Sequence, residues 1–195
     1  MSFLPAPRRI VTSNLTVPEG LSKVENSEPA VGVVTEDLPL VSELDGRWSG
    51  RPVFTHDRVP TSNAGSDITV KPIPGDGLRL PHGANIRFNE VPPGGGTPMH
   101  RTSTTDYNIF LTGSMVLITP AEAYDPANAD SEGKQRETVC RPGDVVVQRG
   151  TMHAWENRSG EWARFISVIL GAEDTTVERG EGISQKLADV FNVVL

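Results

Sequence analysis

Two of the four histidines in this 195-residue chain sit just after glycine-bearing turns. His100 lies in GGGTPMHRTSTTDYNIFLTG (residues 94–113), with Asp106 six positions further on, and His153 lies in PGDVVVQRGTMHAWEN (142–157). On an extended strand, residues two apart share a face. His100 and Thr102 would therefore point one way together, as would His153, Trp155 and Asn157. Antiparallel pairing of the two stretches would gather His100, Asp106 and His153. Such a two-histidine, one-carboxylate set can hold a divalent metal and leave coordination positions open. Without a metal the same groups can move protons, because histidine titrates near neutral pH and a carboxylate can steady a developing charge.

The elements that must carry these residues read as strands. From Ile68 onward DITVKPIP, ANIRFNEV, DYNIFLTG, SMVLITP, ETVCRPG, DVVVQRG and ARFISVIL alternate with turns of Gly, Pro, Asn and Asp. With 19 glycines and 16 prolines in the chain, that rhythm predicts an all-β sandwich or small barrel. We place the barrel at residues 67–172. Residues 1–66 form an extended N-terminal arm with short strands, which Trp48 and Phe54 pin to the barrel or to a neighbouring subunit. Residues 173–195 form a C-terminal tail. Within that tail Ile183, Leu187, Val190 and Phe191 fall at i, i+4, i+7 and i+8, which predicts a short helix. The polar stretch AEAYDPANADSEGKQR (121–136) is expected to be a long surface loop.

The two stretches resemble the paired motifs of the cupin superfamily. In its first motif, G(X)5HXH(X)3,4E(X)6G, Gly94 and His100 match, Thr102 replaces the second histidine, Asp106 replaces the glutamate, and Gly113 closes the pattern. In the second, G(X)5PXG(X)2H(X)3N, Gly143, Gly150, His153 and Asn157 match, with the strand one residue short and the proline missing. The resemblance implies a single jelly-roll-like cupin barrel, of the small single-domain kind found with fungal and bacterial secondary-metabolite pathways. It implies a metal set of His100, Asp106 and His153, one ligand short of the family's four, for a divalent metal such as Fe, Zn, Mn or Ni. The same three residues are the candidate catalytic groups if no metal is held. Trp155, Tyr107, Thr102, Arg149 and Asn157 are the candidate substrate contacts. Arg149 is included because its planar fork suits a carboxylate or carbonyl oxygen. Arg87 and Glu90 lie on opposite faces of one strand, and the sequence leaves open which of them faces the pocket.

Three function classes follow. The first is a metal-assisted or His/Asp acid–base lyase or isomerase, dehydrating or decarboxylating an enolisable, polyketide-like or aromatic substrate. The second is a non-haem Fe(II) oxygenase or oxidoreductase using the same three ligands, and the third is a non-catalytic ligand-binding cupin. No organic cofactor is expected, because the glycines at 94–96 lack a nucleotide-binding pattern and precede a strand. A net charge of -7 argues against a nucleic-acid partner. The lone Cys140 excludes an intramolecular disulfide and a cysteine-based zinc site. No apolar run suggests a signal peptide or a membrane span, so a cytoplasmic protein without membrane contact is expected. Small barrels of this type often exchange N-terminal strands, and the long arm leads us to expect a homodimer.

Overall fold

A computed structural model of the chain describes residues 4–63, 69–75, 77–123, 134–180 and 182–191. The described residues are almost entirely β, and their only helical turns are two 3-10 turns, Glu19–Leu21 and Leu44–Gly46. An N-terminal hairpin pairs β1 (Arg8–Asn14) with β2 (Val31–Asp37). Then come β3 (Val41–Glu43), β4 (Trp48–His56), β5 (Ala84–Val91), β6 (Gly96–Arg101), β7 (Thr104–Thr112) and β8 (Met115–Pro120). Next are β9 (Gln135–Cys140), β10 (Val145–Arg149), β11 (His153–Glu156) and β12 (Ala163–Gly171). Three short strands follow: β13 (Thr176–Glu178), β14 (Ser184–Lys186) and β15 (Val190–Phe191).

These strands build a six-stranded sheet, in the order β10-β7-β12-β5-β4-β3, and a five-stranded sheet, in the order β15-β6-β11-β8-β9. Both are antiparallel, and both turn their alternate residues inward. Phe110, Phe165, Val91, Ala163 and Trp48 from the larger sheet meet Trp155, Met115 and Cys140 from the smaller one in a single buried cluster. Burial of this apolar area away from water is the main force joining the layers. The rings pack closely: Trp48 stands edge-on to Phe165 at 5.4 Å, and Phe110 stacks on Phe165 at 5.0 Å. This cluster closes one end of the space between the sheets, and the inward residues become polar toward the other end.

Part of the expected arm joins the larger sheet. β4 runs beside β5 over most of its length, and β3 pairs in turn with β4. The hairpin is tied down by Arg9, which is buried, pairs with Glu36 and donates from Nη1 to the Val53 carbonyl at 3.0 Å.

The expected C-terminal helix does not form. Ser184–Lys186 pairs with Thr176–Glu178, and Val190–Phe191 pairs with the outer edge of β6. Side chains also hold this segment extended: Arg101 Nε donates to the Ala188 carbonyl at 2.9 Å, and Asp189 Oδ1 accepts from the Ser103 amide and hydroxyl, each at 2.6 Å. A helix this short is marginal in water. Here the open sheet edge satisfies the backbone instead, and Ile183, at the head of the apolar stripe, remains 61% exposed. The loop expected over 121–136 lies largely outside the described residues. No helix among the described residues is long and apolar enough to cross a membrane.

Candidate functional site

β6 and β11 are neighbours in the smaller sheet, and their register sets His153 directly opposite His100. The two rings meet with centroids 4.1 Å apart, tilted by 52°. Each ring is oriented by a carbonyl two residues back: His100 Nδ1 lies 2.8 Å from the Pro98 oxygen, and His153 Nδ1 lies 2.9 Å from the Thr151 oxygen. A carbonyl only accepts, so Nδ1 must carry the hydrogen in both rings. Burial holds the His100 pKa below the ordinary histidine value, opposed by the Pro98 contact. Burial, with the neighbouring His100 charge adding to it, pushes His153 down to about 3. The pair is therefore uncharged at neutral pH, and His153 does not titrate near working pH as the sequence reading assumed.

Asp106 faces the histidines from the larger sheet. It lies on β7 between Gln148 of β10 and Ile169 of β12. Gln148 Nε2 donates to its Oδ2 at 3.3 Å, while Asp106 Oδ1 and Gln148 Oε1 are buried without hydrogen-bond partners. Burial raises the carboxyl pKa to about 6, opposed by the Thr104 hydroxyl, and no cation among the described residues pairs with it.

All three residues line one cavity of about 460 Å³ between the sheets, together with Trp48, Trp155, Phe165, Asn108 and Arg87. They share this space without closing on one point. Among the described residues no group of three or more His, Cys, Asp or Glu side chains is arranged to hold a metal ion. The two histidines touch each other, whereas Asp106 turns toward Gln148. As placed, the donors do not fit the three-ligand metal set.

The other candidate contacts separate clearly. Trp155 is 3% exposed and lines the cavity beside His153. Tyr107 alternates with Asp106 and so emerges on the outer face, 37% exposed. Arg149 is exposed at the end of the edge strand β10 and does not line the cavity. Thr102 is buried, shares a 2.8 Å hydrogen bond with the Thr104 hydroxyl and forms no part of the cavity wall. Asn157 is fully buried and is spent on the backbone: Nδ2 donates to the Val91 and Glu161 carbonyls at 2.9 and 2.7 Å, and Oδ1 accepts from the Ser159 amide and hydroxyl. It pins a turn and does not line this cavity.

Arg87 is the inward member of the pair that the sequence left open. It is 5% exposed, and its Nη2 donates to both Glu43 carboxylate oxygens at 2.7 and 2.8 Å. Gly50 on β4 makes room for it, since a Cβ there would lie 1.8 Å from Nη2. Glu90 instead pairs with Arg164. Sequence reasoning missed Asn108, Asn89 and Ser167 as wall residues. Their signal was a polar residue recurring at alternate positions within otherwise apolar strands.

Two facing antiparallel sheets around a cavity that presents a histidine pair and a carboxylate define a cupin-type barrel. Part of the chain also has sequence relatives. Over 103 residues the chain is 39% identical to phomopsin biosynthesis cluster protein C' of Diaporthe leptostromiformis, covering 52% of this chain and 48% of that protein. It is 29% identical over 129 residues to the cupin-domain-containing oxidoreductase fogC of Aspergillus ruber, covering 64% and 57%. Over about half its length the chain is thus similar to proteins of fungal biosynthesis clusters, among them proteins named cupin-domain-containing oxidoreductases. It spans about half the length of the curated relatives it matches. No protein-family model matches it. Among solved structures, the polyketide cyclase RemF from Streptomyces resistomycificus superposes with a TM-score of 0.41 at 20% identity, over 76% of this chain and 72% of that one.

Proposed function

We propose that the protein is a small-molecule enzyme of secondary metabolism that transfers protons at the carbon beside a carbonyl, as a lyase or isomerase acting on an aromatic or polyketide-like substrate. The observation that carries this reading is the shared cavity. One wall supplies the Asp106 carboxyl with an unpaired oxygen, the facing wall supplies an uncharged histidine pair, and Trp48, Trp155 and Phe165 offer flat apolar surfaces to an aromatic body. A carboxyl with a pKa of about 6 exists in both protonation states near neutral pH, as a group that takes and returns a proton must. Asp106 is the proton carrier, and the histidines, fixed as neutral Nδ1–H rings, orient the substrate.

Proton abstraction beside a carbonyl begins both dehydration of a β-hydroxy ketone and isomerisation of an enone. The test is therefore whether chelator-treated protein exchanges the methyl hydrogens of 2-acetonaphthone, an aryl methyl ketone, for deuterium in D2O. A second reading, an Fe(II) oxygenase or oxidoreductase using His100, Asp106 and His153, is favoured by the names of fogC and the similar oxidoreductase srdD of Neurospora crassa. It requires the iron to draw Asp106 toward the histidines. Iron retained in stoichiometric amount, with activity lost on chelation, would select it.

The functional unit in this proposal is a homodimer. Tyr107 pairs with Val147 and Ile109 with Val145 across β7 and the edge strand β10. Their outward side chains leave Val145 54%, Val147 51% and Leu111 41% exposed in one apolar patch. A second copy covering that patch removes it from water and covers the strand edge. Sedimentation velocity is expected to give a dimer; a monomer at micromolar concentration contradicts it.

A further inference from the structure

A line of buried polar side chains crosses the inner face of the larger sheet from Trp48 to Asn108. Trp48 Nε1 donates to Asn89 Oδ1 at 3.2 Å, Asn89 Nδ2 donates to Ser167 Oγ at 2.9 Å, and Ser167 Oγ donates to Asn108 Oδ1 at 2.6 Å. Asn89, Ser167 and Asn108 are at most 5% exposed. The direction of the whole line follows from its first member. An indole N–H only donates, so Asn89 must turn its oxygen to Trp48 and its nitrogen to Ser167. The serine hydroxyl, having accepted from Asn89, has one proton left to give and gives it to Asn108. Asn108 is thus held by its oxygen, with its NH2 group turned outward from the line.

Asn108 lines the cavity, and its Nδ2 has no hydrogen-bond partner among the described residues, nor is it one of the enclosed polar atoms. The NH2 group is therefore open to the cavity and free to donate to whatever oxygen enters it. Asn108 follows Asp106 by two residues on β7, so the donor and the carboxyl project from the same face of one strand.

We infer that Asn108 Nδ2 is the carbonyl-binding donor of this cavity, that it takes the ketone oxygen of an aryl ketone or a related enolisable carbonyl compound, and that Trp48, Asn89 and Ser167 are the positioning residues that set its direction. The inference rests on the acid–base reading. When Asp106 takes the proton beside the carbonyl, the C–H electron pair becomes the new C=C bond and the carbonyl π pair moves onto oxygen. Asn108 donates to that oxygen as its charge grows, and the charge returns to carbon when Asp106 gives the proton back. A donor preset by a rigid line needs no reorganisation during the step.

The test uses carbonyl-13C-labelled 2-acetonaphthone bound to the full chain, read by difference infrared spectroscopy beside a dissociation constant and a thermal melt. The bound carbonyl is expected to absorb at lower frequency than in an apolar solvent. Asn108→Asp puts an acceptor where the donor stood and is expected to abolish the shift and weaken binding about tenfold. Ser167→Ala, which keeps Asn108 itself, is expected to reduce the shift by releasing the amide; it also leaves Asn89 Nδ2 and Asn108 Oδ1 without their shared partner, so the melt is expected to fall while the variant still folds. A shift surviving in both folded variants overturns the inference, as does an unshifted carbonyl in the wild type or a failure of the wild type to bind the probe. The shift and its loss without any hydrogen exchange would uphold the donor and refute the acid–base reading. Exchange without the shift would do the reverse.

Discussion

Replacing Asp106 by Asn is expected to stop hydrogen exchange while making the folded protein more stable at neutral pH. The rate should fall by about 10²–10⁴-fold, the usual contribution of a positioned acid or base. The gain in stability follows from burial. The carboxyl pKa rises from 3.8 to about 6 on folding, so the folded chain holds this proton more tightly than the unfolded chain does. The favourable contribution is complete below about pH 4 and is lost as pH rises through 6, at a cost of about 3 kcal/mol by pH 7. An amide of the same shape carries no charge to desolvate and can donate to the orphaned Gln148 oxygen. Urea unfolding should therefore show the variant and the wild type alike near pH 3, diverging between pH 4 and 6 and separated by a constant amount above 7. A variant that is less stable at pH 7, or one that keeps full exchange, contradicts the role given to Asp106.

Asn157→Ala is expected to show the opposite split, a large loss of stability with little change in chemistry per folded molecule. Four hydrogen bonds end on this fully buried side chain; their loss takes a donor from the Val91 carbonyl and an acceptor from the Ser159 amide, while Ser159 Oγ keeps its bond to the Glu161 carbonyl. At about 1 kcal/mol for each bond, and more where a buried group is left unpaired, the cost is about 3–5 kcal/mol. Denaturant melts measure it, and the exchange rate should be compared under conditions where the variant is fully folded. Lost exchange in a variant of unchanged stability would restore Asn157 to the substrate wall.

The contrast between these two residues shows what could be read from the sequence. The strand rhythm was legible because glycine and proline mark turns, and His100 and His153 were legible because each follows such a turn at a motif spacing. Alternation already separated Arg87 from Glu90, whereas Tyr107, named as a substrate contact, falls on the outer face. Only the sheet says which face is the inside. Asn89, Ser167 and Asn108 belong to strands that are not consecutive in the chain, so their hydrogen-bonded line exists only once β12 has come to lie between β5 and β7. The C-terminal stripe misled for a related reason. Its four apolar residues carry a helical period, but an unpaired edge of β6 outcompetes a helix that would have to stand almost alone.

The central claim is that this cavity moves a proton beside a carbonyl through Asp106 rather than through a bound metal. Its most direct test is the rate of deuterium incorporation into 2-acetonaphthone by protein treated with chelator and checked for metal content, with and without the Asp106→Asn change. The account predicts exchange by the metal-depleted wild type, rising with pH around 6 as the carboxylate forms, and background rates in the variant. Exchange that is absent after chelation and returns only with added metal, or that persists in the variant, would contradict it.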